Sequence, residues 1–570
     1  MNNGTPPDQA RTEFDVIVIG AGINGVGLMR ELALQNVRVL VVDRADICSG
    51  ASCAPSRLIH GGIKYLETGE FRLVAQSTLE RNLLLRNAPH VVHPLPTTVP
   101  VSSWFGGIVP SIRRFVGLGG KMADRGAVVT ELGMLIYDFL GRHNRVMPRH
   151  RFFPRRQTRA RWPHMATSVM ATGQYYDAAI TQPERLGYEC VRDAMMTESG
   201  CVIATYTRIE SFHDGTLTLR DRLSGRSWQA RAPVVVNAGG AWIDQVNAIL
   251  GLRTRYIDGT KGSHLLLRHD ALLRELDGHM VYFGTPDGRI CLAYPFLGHV
   301  LVGSTDIRLR DPDAAICTDA EQTYMLDMLG AQFPGFSFSA DDVIYRYCGV
   351  RPLPASGASD PGAISRDHIV HEDRLGPTVL FSLVGGKWTT FRGLAEEVAD
   401  TILPRLGGAR QVSTRLLPIG GGRNFPRPAR QATYLAGIAE AYGIPPERVR
   451  TLFARYGTLA QDIARFCAHV ADMPLRSLPT YTRREIAFIA RYEQVRQVAD
   501  ILYRRTTIAL SGALTPDVAR EVADVAGDAL GWDADEIQRQ ARDAWQQAET
   551  CHHMAAHPMP EVVRPEAIGA

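Results

Sequence analysis

The sequence predicts an α/β protein of several domains that opens on a parallel βαβ unit and closes on a helical domain. Three observations carry this: the length, an apolar strand ended by spaced glycines near the amino end, and apolar residues at helical spacing towards the carboxyl end. The 570 residues are more than one hydrophobic core usually serves. A prior of about 150 residues per domain divides such a chain into about two to four.

Residues Asp15 to Gly20 (DVIVIG) are a short β-branched apolar run suited to a buried parallel strand. Gly20, Gly22 and Gly25 end it as G-x-G-x-x-G. The first glycine permits a tight turn, the second admits a pyrophosphate, and the third lets the next helix pack on the strand. That helix, expected from about Asn24 to Gln35, points its positive end at the anion. A second strand, Val37 to Val42, ends at Asp43, whose carboxylate stands where the adenosine ribose of a dinucleotide would bond. The turn does not separate FAD from NAD, because both present the same pyrophosphate.

The bulk composition excludes other classes. Hydrophobic residues at 45% and charged residues at 21% are ordinary for a soluble globular protein. Sixty-three basic against 59 acidic side chains leave +4, too little to argue for nucleic acid. The nine cysteines form no C-x-x-C pair and no zinc-type spacing, so they read as reduced cytosolic thiols and no metal is expected. Met1 to Glu13 is a flexible polar start without the basic and apolar stretches of a secretory signal. No run of about 18 apolar residues exists, so any membrane contact is at its surface.

From Ser49 to Val74 the chain reads SGASCAPSRLIHGGIKYLETGEFRLV. Further blocks follow in order: VVVNAGGAW (Val234 to Trp242), KGSH (Lys261 to His264), GSTD (Gly303 to Asp306), GVRPL (Gly349 to Leu353), SRDH (Ser365 to His368) and GGKWTTFR (Gly385 to Arg392). Together they resemble the FAD-dependent, quinone-linked glycerol-3-phosphate dehydrogenases. The resemblance implies FAD as cofactor and a fold with three parts: a Rossmann-type FAD-binding domain of the glutathione-reductase kind, an α+β substrate cap and a C-terminal α-helical domain. It also implies a small phosphorylated polyol as substrate and a quinone or other electron acceptor. The cofactor-facing residues are then Gly20, Gly22, Asn24, Gly25, Asp43, Arg44, Ser49, Ser52, Leu58, His60, Gly61, Ala238, Gly240, Trp242, Gly386, Lys387, Trp388 and Thr389. Small residues at Ala238 to Gly240 suit close backbone approach to a cofactor. Lys387 beside a flavin would stabilise negative charge on the reduced ring.

A phosphorylated alcohol needs fixed cations for its dianion, a base for its hydroxyl and a carbon held against the flavin. By the resemblance, Arg351 and Arg366 face the substrate, and planar guanidinium groups suit phosphate. The family usually carries Gly-Gly-x-Arg-Tyr-Leu-Glu where this chain has Lys64 ahead of Tyr65. Lys64 keeps the charge without the fork, so another polyol phosphate or a hydroxy acid stays open as substrate, as does an oxidase that delivers electrons to oxygen. His264 is assigned as base and His60 to the flavin environment, while Tyr65 is a phosphate contact or a packed aromatic.

Between Pro94 and Pro148, Trp104, Phe105, Ile108, Ile112, Arg113, Arg114, Phe115, Lys121 and Arg125 mix apolar anchors with cations. This fits a solvated cap helix or a bilayer interface. The resemblance favours the membrane, giving a cytoplasmic protein peripheral to the inner membrane.

The expected division is 1–13 flexible, 14–410 oxidoreductase, 411–430 linker, 431–550 helical and 551–570 flexible tail. Within the oxidoreductase region, FAD parts lie near 14–93, 170–255 and 345–410, and cap parts near 94–169 and 256–344. Gly420 to Gly422, Pro426 and Pro428 mark the linker. From Arg483 to Arg505, Ile486, Ile489, Val495, Val498 and Leu502 recur at helical spacing, predicting a buried stripe with a wet outer face that could also serve a homodimer. Cys551, His552, His553 and His557 read as a flexible end in preference to a metal cluster.

Overall fold

The computed structural model describes residues 12–66, 69–106, 126–142, 146–285, 289–356 and 366–554. Strand Val16–Ile19 is wholly buried, as its β-branched composition requires, between the parallel strands Val39–Val42 and Val234–Asn237. The sheet extends through Val202–Ala204 on one side and Thr378–Val384 on the other, and is edged by the antiparallel Ile369–Leu375. Helices Ile23–Ala33, Pro183–Met195 and Phe391–Ile402 bury Val26, Met29, Val191, Leu394 and Val398 with the strand residues Val16 and Val18 in one core. This layering leaves the glycine turn at the carboxyl end of the central strand, where doubly wound sheets bind ligands.

Three further strands, Thr207–His213, Thr216–Asp221 and Ser227–Arg231, form an antiparallel meander. The third sheet is larger and mostly antiparallel. Strand Thr260–Leu267 pairs with His299–Gly303 and Val343–Arg351, and Val92–Val101 pairs along its length with Ala171–Ile180. Ala171–Ile180 and Val343–Arg351 therefore belong to the cap's sheet, although the sequence division assigned 170–255 and 345–410 to the FAD part. The sheet's register carries them there, because each pairs with a cap strand and not with the parallel sheet.

The carboxyl-terminal domain is helical, with Pro428–Tyr442, Pro446–Tyr456, Ala460–Ala468, Arg483–Tyr492, Pro516–Leu530 and Ala534–His552. Three expectations change here. Gly420 to Gly422, read as linker, is a buried turn in which a Cβ would stand 2.1 Å from Glu189 Oε2, 2.1 Å from the Tyr456 carbonyl oxygen and 2.2 Å from that of Asn87, respectively. These glycines permit close packing, not freedom. The stripe from Ile486 to Leu502 is buried as expected, but the helix breaks after Tyr492, where Gln494 takes φ 58° and Glu493 turns inward to a bidentate bond with Arg185 at 2.6 and 2.8 Å. The outer face is not uniformly wet either, since Glu485, Glu493, Gln494, Arg504 and Arg505 are buried. Finally, the chain from Cys551 onward does not begin as a loose tail. The last helix runs to His552, whose Nδ1 meets the Arg346 carbonyl at 2.8 Å and whose ring stacks on Tyr345. His557 lies outside the described residues, as does 107–125 with Ile108, Ile112, Arg113, Arg114, Phe115, Lys121 and Arg125.

Arg504 and Arg505 converge on Asp46, three charges buried where the helical domain meets the loop after Asp43. Burial would raise the Asp46 carboxyl, but the two guanidinium groups outweigh it and hold it at about 2. Removing the shared anion leaves the buried Arg505 without a carboxylate partner among the described residues and Arg504 with Asp500 alone. Asp46→Asn should therefore cost about 3 kcal/mol in urea unfolding at pH 7, and a loss under about 1 kcal/mol would contradict this account of the domain contact.

Candidate active site

One cleft of about 1400 Å³ runs from the glycine turn to the cap sheet, above the range of about 300–1,000 Å³ usual for small ligands and long enough for a dinucleotide with a substrate at its end. Every cofactor-facing residue named from the sequence lines it except Gly25 and Gly61. Those two stand behind the wall. A Cβ on Gly25 would sit 1.9 Å from the Gly20 carbonyl oxygen, so this glycine seats the helix against the turn. The Gly61 amide donates to Tyr137 Oη and to Asp177 Oδ1, each at 3.0 Å.

The nucleotide end is built from backbone. Gly20 holds φ 108°, and a Cβ there would meet the Ala238 carbonyl oxygen at 2.5 Å. Helix Ile23–Ala33 has no cap of its own, and Ser52 Oγ accepts from the Ile23 amide at 2.9 Å in its place. Asp43 accepts from the amides of Ala21 at 2.7 Å and Ala45 at 2.8 Å, while burial lifts its carboxyl to about 6, leaving it ionised at neutral pH. Arg44 lies over the Trp242 ring at 4.6 Å, and both side chains bond Asp313 from the cap. Asn24 reaches the Gly385 carbonyl at 3.5 Å through Nδ2, while its buried Oδ1 has no hydrogen-bond partner among the described residues. A tight glycine cradle, a helix terminus, a ribose-height carboxylate and an orphaned carboxamide oxygen suit the pyrophosphate, ribose and ring of FAD.

Further along, Thr389 Oγ1 accepts from the His60 amide at 3.2 Å and donates to the His60 carbonyl at 3.3 Å, and Trp388 Nε1 donates to the Ser52 carbonyl at 3.1 Å. Burial, with the Lys387 charge, drops the His60 imidazole to about 4. Lys387 Nζ lies 3.8 Å from the centre of the Tyr65 ring and 3.3 Å from Ser77 Oγ. Burial pulls its ammonium down to about 7.

An unfolded lysine keeps its proton to about 10.4, so between about pH 7 and 10.4 the unfolded chain binds the extra proton and stability rises with pH. The burial cost is complete below pH 7 and fades towards pH 10. Lys387→Met in the flavin-free protein should thus gain about 4 kcal/mol over the parent at pH 7 and approach equality near pH 10 in denaturant titrations. An equal gap at both pH values would contradict the assignment.

The cap supplies the other end. His264, on the buried strand Thr260–Leu267, stacks on Tyr347 at 4.9 Å and pairs through Nε2 with Ser56 Oγ at 2.8 Å. Its buried Nδ1 has no hydrogen-bond partner among the described residues. Burial, then the charges of Arg351 and Arg57, keep the imidazole neutral, with its pKa well below the ordinary value. Arg351 donates to Ser304 Oγ at 3.1 Å and to the Thr305 carbonyl at 3.3 Å. Lys64, Tyr65, His264, Arg351 and Arg366 share the cleft wall with Lys387.

Sequence reasoning missed several residues. Asp306 stands in the quoted GSTD block and bridges Arg351 and Arg366, a role that charge alternation between blocks could have suggested. Ser56, Asp313 and the Tyr137–Asp177–Arg81 network behind Gly61 carry no local signal, since their partners are far off in sequence.

Comparison with known proteins agrees with this geometry. Residues 15–401 match the family described as FAD dependent oxidoreductase, and 412–537 match the C-terminal domain of alpha-glycerophosphate oxidase. The cradle and the family match together define an FAD-dependent oxidoreductase. A glycerol-3-phosphate dehydrogenase of Synechocystis sp. is 30% identical over 562 residues, covering 94% of this chain and 96% of that one. The aerobic glycerol-3-phosphate dehydrogenase of Staphylococcus aureus is 26% identical over 566 residues, 95% of each. The solved glycerol-3-phosphate dehydrogenase of Bacillus halodurans, complexed with FAD, shares the fold over 97% of both chains with a TM-score of 0.72 at 21% identity. The chain belongs to the glycerol-3-phosphate dehydrogenase family.

Proposed function

We propose that this enzyme oxidises glycerol 3-phosphate to dihydroxyacetone phosphate and passes the electrons to quinone from the cytoplasmic face of a membrane. The observation that carries the substrate reading is the set of cations, Arg351, Arg366, Lys387 and Lys64, gathered with the neutral His264 at the cap end of the cofactor cleft. FAD, held by the glycine cradle and Asp43, supplies the hydride acceptor. Arg351 and Arg366 hold the phosphate, Lys64 adds a point charge, and the fixed phosphate orients the carbinol carbon. His264 takes the hydroxyl proton, for which a neutral imidazole in contact with Ser56 is ready at pH 7. Lys387 supplies positive charge where negative charge develops.

A steady-state assay with soluble quinone tests this. Glycerol 3-phosphate should support turnover and unphosphorylated glycerol should not. Peroxide release in air without quinone reduction would instead assign an oxidase, the activity for which the matched carboxyl-terminal family is named.

The membrane reading rests on helix Ala127–Leu140. Val128, Leu132, Leu135 and Phe139 fall on one face, and all four are exposed, Phe139 at 60%. Trp104 and Phe105 are exposed as well, and Arg149, Arg151, Arg155 and Arg156 follow at the surface. The opposite face buries Met134 and Tyr137 in an apolar core with Val74, Val99 and Tyr175. An apolar stripe beside cations suits anionic lipid. Among the described residues no helix is long and apolar enough to cross a membrane. Leu132→Glu with Phe139→Glu should weaken binding to phosphatidylglycerol vesicles at least about tenfold and leave turnover with a soluble acceptor intact. Unchanged co-sedimentation would refute the docking face.

A further inference from the structure

We infer that Asp306 is a built-in counter-anion of the substrate's phosphate site, which an incoming phosphate must displace and which lowers the affinity of the site for anions. The inference rests on the phosphate reading of that end of the cleft and adds the residue that sets its affinity.

Asp306 bridges the two arginines with one oxygen each, Oδ1 to Arg351 Nη1 and Oδ2 to Arg366 Nη2, both at 3.3 Å. These distances lie at the long, weak end of charge-assisted bonds. All three side chains are about equally and partly exposed to the cleft, at 22% to 25%. The carboxylate is nevertheless held firmly. Its neighbour Thr305 donates through Oγ1 to the buried Glu321 at 2.7 Å and accepts from the Ser263 amide at 3.0 Å, and Glu321 is itself paired with Lys261 at 2.7 Å. Asp306 is thus a tethered single negative charge already seated between the groups that a ligand needs.

The consequence is a competition. A free carboxylate offers the arginines one charge, the same that Asp306 offers, and lacks the advantage of the tether. A phosphate dianion offers two charges and three acceptor oxygens, so it displaces the resident group where a single carboxylate only matches it. The Asp306 charge also repels the incoming anion, a dianion about twice as strongly as a monoanion, so the resident acid lowers affinity for phosphate more than for a carboxylate. Two like-charged guanidinium groups also need a counterion when no ligand is bound, which explains why an acid stands in an anion site at all.

The test uses the FAD-loaded full chain. Inorganic phosphate and lactate are titrated, each followed by perturbation of the flavin spectrum and by competition with glycerol 3-phosphate. Asp306→Asn keeps the size and one acceptor oxygen while removing the charge. It should bind phosphate about tenfold more tightly and lactate by a smaller factor, because the relieved repulsion is larger for a dianion. Asp306→Glu, which keeps the charge, should retain the parent's affinity, and phosphate binding as tight as in the amide variant would count against the charge as the cause. Unchanged or weaker phosphate binding in Asp306→Asn would overturn the inference, since a side chain that only props the arginines can lower affinity but not raise it. If the parent itself shows no phosphate binding, the phosphate reading falls with it, an outcome distinguishable from the first because there the parent binds normally.

Discussion

Gly25→Ala should leave the protein without its flavin. The added methyl would stand 1.9 Å from the Gly20 carbonyl oxygen and 3.1 Å from its carbon, both backbone atoms that cannot rotate away. The helix must lift from the turn, and the amides that face the pyrophosphate move with it. We expect FAD affinity to fall at least about 100-fold, near 3 kcal/mol, measured by fluorescence titration and by flavin content after gel filtration. Gly133→Ala is the control. It sits on the helix Ala127–Leu140 with nothing among the described residues within 4 Å of the new methyl, and flavin content should not change. Full flavin retention by Gly25→Ala would mean that the cradle is not the cofactor site.

Arg351→Leu should separate binding of substrate from binding of cofactor. The guanidinium reaches Ser304, Thr305 and Asp306, all on the cap side, and makes no bond to the glycine turn. Losing it removes a phosphate partner and leaves the Asp306 charge opposing the dianion. The expected fall in kcat/KM for glycerol 3-phosphate is about 1000-fold, about 4 kcal/mol, with flavin content unchanged. A drop confined to flavin content, or a change under about threefold in kcat/KM, would contradict the assignment of this residue.

Local periodicity made the nucleotide half legible. The run from Asp15 to Gly20 is strand Val16–Ile19, the helix expected at Asn24 to Gln35 is Ile23–Ala33, and the second strand ends beside Asp43 as read. These features depend on neighbours within one βαβ unit, where glycine spacing and β-branching act directly on the backbone. Most of the residues gathered in the cleft were likewise visible through their blocks. Their mutual geometry was not. Asp306 lies 45 positions from Arg351 and 60 from Arg366, so its bridge exists only once the sheet register aligns the cap. The same reason hid Asp46, whose partners Arg504 and Arg505 sit 458 and 459 positions away. Charged residues at helical spacing read as a wet face unless a distant counter-ion is known. The glycines at 420–422 misled in the opposite way, because composition alone does not separate a glycine that frees the chain from one that lets two backbones touch.

Anaerobic mixing of the FAD-loaded protein with glycerol 3-phosphate tests the proposed chemistry most directly, because it reads hydride transfer without any external acceptor. One equivalent should bleach the visible absorbance of the oxidised flavin, while unphosphorylated glycerol at the same concentration should leave it intact. Bleaching by glycerol as readily as by its phosphate, or an unbleached flavin with glycerol 3-phosphate in excess, would contradict the cationic site as the seat of catalysis.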